Sequence, residues 1–312
     1  MSTPLVLRTS IGKYDHVQAL RDGTVGSERV RFDFVEVEPI SAAFRRMLRD
    51  WEFDFCEMAF TTHAMAHAYE KPIVGLPIVL MRGFHHGALH CAKQSPLKGP
   101  ADLAGKKVAV RAYSQTTGVW VRGILQSEYG LDAGDVTWVT LEDAHVREYV
   151  DPPNVMRAAE GKTLRSMLLA GEVDATLGLA KPDPNEVRTV IPDAEEAAFA
   201  WYRKTRIYPA NHIVALKREL AARHPWLPTE LYRLFAAAKQ TARDRGQERK
   251  AAPAGSARAR LMAMIGDDPL PYGATANRAP MELALKYAAQ QKLIPRAYGL
   301  DELLVPELLA ST

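Results

Sequence analysis

Arg82, His85 and His86 stand together in RGFHH, directly after the apolar run Ile73 to Met81, which reads as a strand broken at Pro77. A guanidinium can clamp a carboxylate through two parallel hydrogen bonds. An imidazole exchanges protons near neutrality. Arg82 is therefore a candidate carboxylate clamp, His86 a candidate general acid or base, and His85 a candidate contact to the same ligand. His212 lies inside the apolar run IYPANHIVAL and is a second candidate for proton transfer. Glu57 stands in FDFCEM, which reads as a buried strand, and could accept a hydroxyl proton. His16 follows the first strand-like segment, Pro4 to Thr9, and is a candidate binding residue. Plainer roles fit the same residues: a solvated polar hinge for 82–86, a satisfied core histidine for His212, and an arginine partner such as Arg45 for Glu57.

Ser114, Gln115, Thr116 and Thr117 form a different kind of candidate. They lie in a polar turn between Lys107–Val110, a short β-branched strand, and a helix from Val119 to Tyr129 with Val121, Ile124 and Leu125 on one face. Gly130 is a suitable C-terminal stop. A helix start carries unpaired N–H groups and partial positive charge, which suit a carboxylate or phosphate. Ser114 or Thr116 would serve equally as a simple N-cap. His63 and His67 are spaced i, i+4 in HAMAH, but the glutamate of a zinc hydrolase is missing and no further ligand stands nearby, so packing is the expectation and no metal site is predicted. His90 and His145 have no distinguishing context. Gly-x-Ser-x-Gly, Walker and GxGxxG signatures are absent from the sequence.

The elements that must position these residues alternate between strand and helix, once before about Gly87 and again after about Ala88. That alternation predicts an α/β class with largely parallel sheets in two lobes, and a ligand cleft at strand carboxyl ends. A length of 312 residues agrees with two lobes rather than one core. The net charge of +3 comes from basic residues spread along the chain, which argues against nucleic acid and leaves a small anionic ligand plausible on physical grounds. Cys56 and Cys91, the only cysteines, suit buried free thiols rather than a zinc knuckle or a disulfide framework. No window approaches eighteen apolar residues, so no membrane span is expected, and MSTPLVLRTSIGKYD lacks the signal-peptide pattern, so a cytoplasmic location is expected. Residues 151–161 read as loop, the C-terminal third as helical, and the charged, Ala- and Pro-bearing stretch 243–260 as the least ordered part.

Several segments, in order over most of the chain, resemble the 4,5-dihydroxyphthalate decarboxylase family: FRRMLRDWEFDFCEM (44–58), RGFHHGALH (82–90), DLAGKKVAV (102–110), TTGVWVRGILQSEYG (116–130), GEVDA (171–175), IYPANHIVAL (207–216) and ANRAPMELALKYAAQQKLIPR. The resemblance implies a type II periplasmic-binding-protein-like fold with two crossovers. Residues 1–88 plus 208–312 would form lobe one, 89–207 lobe two. The implied activity is non-oxidative decarboxylation of a hydroxylated aromatic dicarboxylate, part of phthalate degradation and aromatic compound catabolism. His86 and His212 would then move protons at the cleft, with Glu57 as a further catalytic candidate. Arg82, His85, His16 and the 114–117 turn would hold the anion. His16 and His85 stand where the family pattern leads one to expect arginine, which exchanges a permanent cation for a titratable one. No cofactor is predicted, with metal dependence left open. The expected partner is a small aromatic carboxylate, with homo-oligomer formation open. The alternative is a non-catalytic binding protein for an aromatic or heterocyclic carboxylate.

Overall fold

A computed structural model of the chain describes residues 3–246, 256–266 and 268–311. The chain opens with β1 (Leu5–Ser10), α1 (Gln18–Arg21), β2 (Val30–Phe34), α2 (Ser41–Arg49), β3 (Phe55–Ala59), α3 (Phe60–Ala68) and β4 (Ile73–Arg82). There follow β5 (Leu89–Ala92), β6 (Lys107–Val110), α4 (Thr116–Tyr129), β7 (Thr137–Thr140), β8 (Val155–Arg157), α5 (Leu164–Leu169), β9 (Ala175–Leu177), β10 (Val187–Thr189) and α6 (Ala194–Thr205). The strand β11 (Ala210–Lys217) then leads into α7 (Arg218–Arg223), α8 (Leu227–Asp244), α9 (Ala257–Ile265), α10 (Ala274–Gln290) and α11 (Leu300–Leu303). Residues 247–255, the middle of the charged stretch 243–260, lie outside the described residues. Among the described residues no helix is long and apolar enough to cross a membrane.

The chain divides into two compact units. The first comprises Met1–Arg82, Ala210–Met281 and Tyr298–Thr312; the second comprises Gly83–Pro209 and Glu282–Ala297. In the first, the described strands pair in the order β2-β1-β3-β11-β4. β1 runs parallel to β2 and β3, whereas β11 is antiparallel to both β3 and β4. The sheet is therefore mixed rather than largely parallel: β4 carries the chain out of the unit and β11 brings it back in the opposite sense. α8 places Leu231, Leu234, Phe235 and Ala238 at helical spacing, and these bury against Leu7, Phe55, Leu76 and Val214 of the sheet. β4 runs through Pro77 without ending. The ladder slips there instead, with Leu76 opposite Val214 and Met81 opposite His212. Proline has no N–H to donate, so a bulge is where a strand tolerates it; its carbonyl accepts from Gly273 N–H at 2.8 Å.

In the second unit the described order is β10-β5-β9-β6-β7-β8. β6 is parallel to β7 and β9, while β5 is antiparallel to β9 and β10. Ala109, Val139, Met167 and Leu168 form a core between this sheet and α5. β6, the polar turn and α4 follow the pattern read from sequence, including Gly130 in the left-handed conformation (φ 69°) at the helix end. The expected loop 151–161 contains β8, and β10 is a further edge strand; both are three residues long, too short for a period to register.

Residues 282–297 of the C-terminal helical part sit in the second unit, and Gly123 is the reason they fit. A Cβ at that position would come within 2.1 Å of the Tyr287 ring, so only glycine lets the end of α10 lie against α4. Gln291 completes the contact, its Nε2 donating to Val119 O at 2.9 Å and its Oε1 accepting from Arg122 Nε at 2.7 Å. Gly123→Ala should therefore destabilise the full chain by about 1–3 kcal/mol, the usual penalty of overpacking, read as a lower midpoint in denaturant melts.

Candidate functional site

A buried polar cluster of the first unit is built on Glu57. Strand alternation puts Phe55, Glu57 and Ala59 on one face of β3. The antiparallel register with β11 sets Val214 opposite Glu57 and His212 opposite Ala59, so His212 is the diagonal neighbour of Glu57 on that face. Its Nδ1 lies 2.5 Å from Glu57 Oε1. β1 ends beside the same strand, Thr9 opposite Phe55 and Ser10 opposite Cys56, which carries the following turn to the carboxylate. There Gly12 N–H donates to Oε2 at 2.8 Å and the Tyr14 hydroxyl donates to Oε1 at 2.7 Å. Gly12 has to be glycine for this arrangement, because a Cβ would fall within 2.8 Å of the Tyr14 ring. The partner of Glu57 is thus an imidazole, not Arg45.

Glu57 is 0% exposed. Burial opposes its ionisation, but the His212 hydrogen bond and charge, the Gly12 N–H and the Tyr14 hydroxyl outweigh burial and hold its carboxyl below the usual range. Burial, then the Glu57 charge and the bond to it, drive the Tyr14 phenol far upward, so that it remains a donor. The His16 ring stacks on Tyr14 with centroids 5.2 Å apart and meets Tyr272 edge-on. Its buried Nε2 has no hydrogen-bond partner. Burial and then the Lys239 charge lower its pKa to about 4, against the opposing pull of Glu57, Asp15 and Asp268. Phe44 of α2 meets the His212 ring edge-on at 5.1 Å. Arg82 closes β4 opposite Ala210, half-buried.

The remaining sequence candidates belong to the second unit. Gln115 occupies the cap position before α4 (φ -58°, ψ 130°), and its side chain makes no capping bond, so neither Ser114 nor Thr116 is the N-cap. Ser114 and Thr116 are buried, Gln115 and Thr117 half-buried, and Gln115 Oε1 is a buried acceptor with no partner. Gly178, just past β9, comes close to the Gln115 amide. The turn therefore lies over the carboxyl ends of the parallel strands β6 and β9, where open α/β sheets place ligands. His85 stacks on Trp120 of α4 at 6.4 Å, and His86 lies 5.5 Å from the ring of Trp201 in α6. Burial and then the neighbouring His85 lower the pKa of His86 to about 4, and its Nδ1 is buried with no partner. Arg122, unremarked in the sequence, is buried beneath this turn and donates to Tyr113 O at 2.5 Å.

Glu57 and His212 are thus brought together, with His16 one ring away through Tyr14. Ser114–Thr117 and the His85–His86 pair group separately on α4 and α6. Tyr14, Gly12, Trp120 and Trp201 escaped sequence reading; the only signal for the first two was a tyrosine two residues after a glycine in a strand-end turn. His63 is a packing histidine, its Nε2 2.9 Å from Leu303 O, and His67 lies against Tyr298. Among the described residues no group of three or more His, Cys, Asp and Glu side chains could hold a metal ion. Cys56 and Cys91 are buried free thiols.

No family model matches the chain. Its fold is that of the two-lobed solute-binding proteins: it superposes on the periplasmic aliphatic sulphonate binding protein SsuA from Escherichia coli with a TM-score of 0.56, covering 98% of this chain and 99% of that one at 17% identity. Sequence relationship is nearer elsewhere. The chain is 31% identical over 251 residues, 76% of each protein, to a 4,5-dihydroxyphthalate decarboxylase from Comamonas testosteroni. It is 32% identical over 212 residues, 64% of this chain and 82% of the relative, to a second protein of that name from Pseudomonas putida. The chain belongs to the 4,5-dihydroxyphthalate decarboxylase family.

The lowered histidines make acid sensitivity a direct consequence of burial. An unfolded histidine takes up a proton as pH falls below about 6.5, while His16, His63 and His86 resist until about 4. Between these values the unfolded state binds more protons, so stability falls as pH falls. Glu57, whose folded pKa is depressed, adds stability above the ordinary carboxylate range that is lost as pH drops through its folded value. Urea melts should show the midpoint declining from about pH 6.5 to about 4, with a shallower decline in His86→Gln.

Proposed function

We propose that this chain is a carboxy-lyase that removes CO2 without oxidation from a hydroxylated aromatic carboxylate, with 4,5-dihydroxyphthalate the first candidate. The observation that carries the reading is the buried Glu57 holding His212 by Nδ1, on a chain whose curated relatives are named decarboxylases. Non-oxidative loss of CO2 from an electron-rich arene requires a proton at the ring carbon that bears the carboxylate. A ring hydroxyl para or ortho to that carbon supplies electron density. Once the proton is added, the bond to the carboxylate breaks, its electrons restore the aromatic ring, and CO2 leaves. One proton is consumed per turnover and is regained from water.

His212 has the attributes of the donor in this scheme. With Nδ1 committed to Glu57, Nε2 is the nitrogen left for proton exchange, beside a carboxylate that favours a proton on the ring. Glu57 already accepts three donors, so orienting His212 suits it better than taking a phenolic proton. His16, uncharged near neutrality, suits hydrogen bonding to a hydroxyl rather than neutralising a carboxylate. Arg82 suits the carboxylate that stays, by bidentate pairing. In the second unit, the start of α4, whose cap residue Gln115 makes no side-chain capping bond, suits an anion together with Ser114, Thr116 and Thr117, and His86, uncharged near neutrality, suits proton acceptance.

The test is incubation with 4,5-dihydroxyphthalate in D2O. The reading expects CO2 and 3,4-dihydroxybenzoate carrying deuterium at the ring carbon that lost its carboxylate. His212→Gln should lower kcat by about 10²–10⁴-fold, the range of general acid catalysis, while thermal stabilisation by the acid is retained. No turnover with thermal stabilisation by the same acid would instead favour the binding-protein reading.

A further inference from the structure

We infer that Tyr14 is a positioning residue of the proton-transfer machinery, acting through Glu57 rather than on the substrate. This rests on the role proposed above for His212. Tyr14 and His212 share Oε1, at 2.7 and 2.5 Å, while Gly12 N–H takes Oε2. Two donors on one oxygen fix its lone pairs in direction, and the backbone donor on the other stops the carboxylate from rotating. The Nδ1 contact of His212 is therefore held by an oxygen that Tyr14 keeps in place.

The same geometry keeps Glu57 ionised. A carboxylate inside a core is tolerated only when its oxygens are satisfied, and each donor favours the charged form. Among the described residues the side-chain donors to Glu57 are Tyr14 and His212, so no third side chain takes over from Tyr14 in that task. Facing Glu57 are His212 on β11, Tyr14 and His16 after β1, and Cys56 beside it on β3, whose thiol burial and the Glu57 charge push upward. Phe44 of α2 contributes an apolar ring against His212, and Arg82 on β4 stands one ladder position beyond Met81, the partner of His212. Gly12 belongs to the device as well, since any side chain there would displace the Tyr14 ring.

With Tyr14→Phe, Glu57 loses one of its donors, so it protonates at higher pH. Protonated Glu57 no longer offers His212 a carboxylate to orient it, so the acid limb of the kcat–pH profile for 4,5-dihydroxyphthalate moves up with it, by about one pH unit, tenfold in proton concentration. KM changes less than kcat at the pH of the limb. An activity-independent readout accompanies this: the infrared carbonyl band of the protonated Glu57 carboxyl, assigned by its loss in Glu57→Gln, appears at correspondingly higher pH in Tyr14→Phe. 3-Fluorotyrosine at position 14, a stronger donor of nearly the same shape, shifts both midpoints the other way and covers the case in which Tyr14→Phe does not fold. Unmoved midpoints in both variants overturn the assignment, even if kcat falls. A shifted infrared midpoint in a chain that never turns over substrate leaves the Tyr14–Glu57 coupling standing and overturns the decarboxylase reading instead.

Discussion

A single ionised carboxylate inside the first unit organises what surrounds it. Removing a charge from water is costly by several kcal/mol even in relaxed protein interiors, and only good hydrogen-bond geometry offsets it. Glu57 meets that demand with donors from two directions, the turn after β1 and the return strand β11. The pairing order β1-β3-β11 is what brings those two directions to the same residue. The mixed character of the sheet is therefore part of the chemistry: without an antiparallel β11, His212 would not lie diagonal to Glu57.

The second unit solves a different problem with the same materials. A parallel pair, β6 and β9, ends beneath a helix start whose cap position makes no side-chain bond. Aromatic rings of Trp120 and Trp201 hold His85 and His86, and burial keeps His86 uncharged near neutrality. Arg122 and Gln291 fasten the turn from below, so its shape depends on residues 282–297 being present. Each unit thus contains a group of buried polar side chains whose orientation is set by backbone elements far apart in sequence.

Much of the fold could be read in the chain because its signals are local. The strand, turn and helix from Lys107 to Gly130 lie in one continuous stretch, with an apolar face and a glycine stop, and the structure follows them closely. The edge strands β8 and β10 could not be read, since three residues make no period. Glu57 and His212 could each be picked out by type, but the bond between them joins positions 155 apart and exists only through the β3–β11 register. Tyr14 gave less still: a tyrosine in a turn has no pattern, and its importance comes from an oxygen it shares with His212. The fit of Gly123 to Tyr287, which places 282–297 in the second unit, is likewise invisible without coordinates.

Everything at this site depends on an ionised Glu57 holding a proton on His212 Nδ1. The most direct measurement is the proton NMR spectrum of the full chain near neutral pH in the low-field imidazole N–H region. A strongly hydrogen-bonded Nδ1–H resonance is expected, one that disappears in His212→Gln and is lost or moved far upfield in Glu57→Gln. A resonance that survives unchanged in Glu57→Gln, or is absent from the unaltered protein at low temperature, would contradict it.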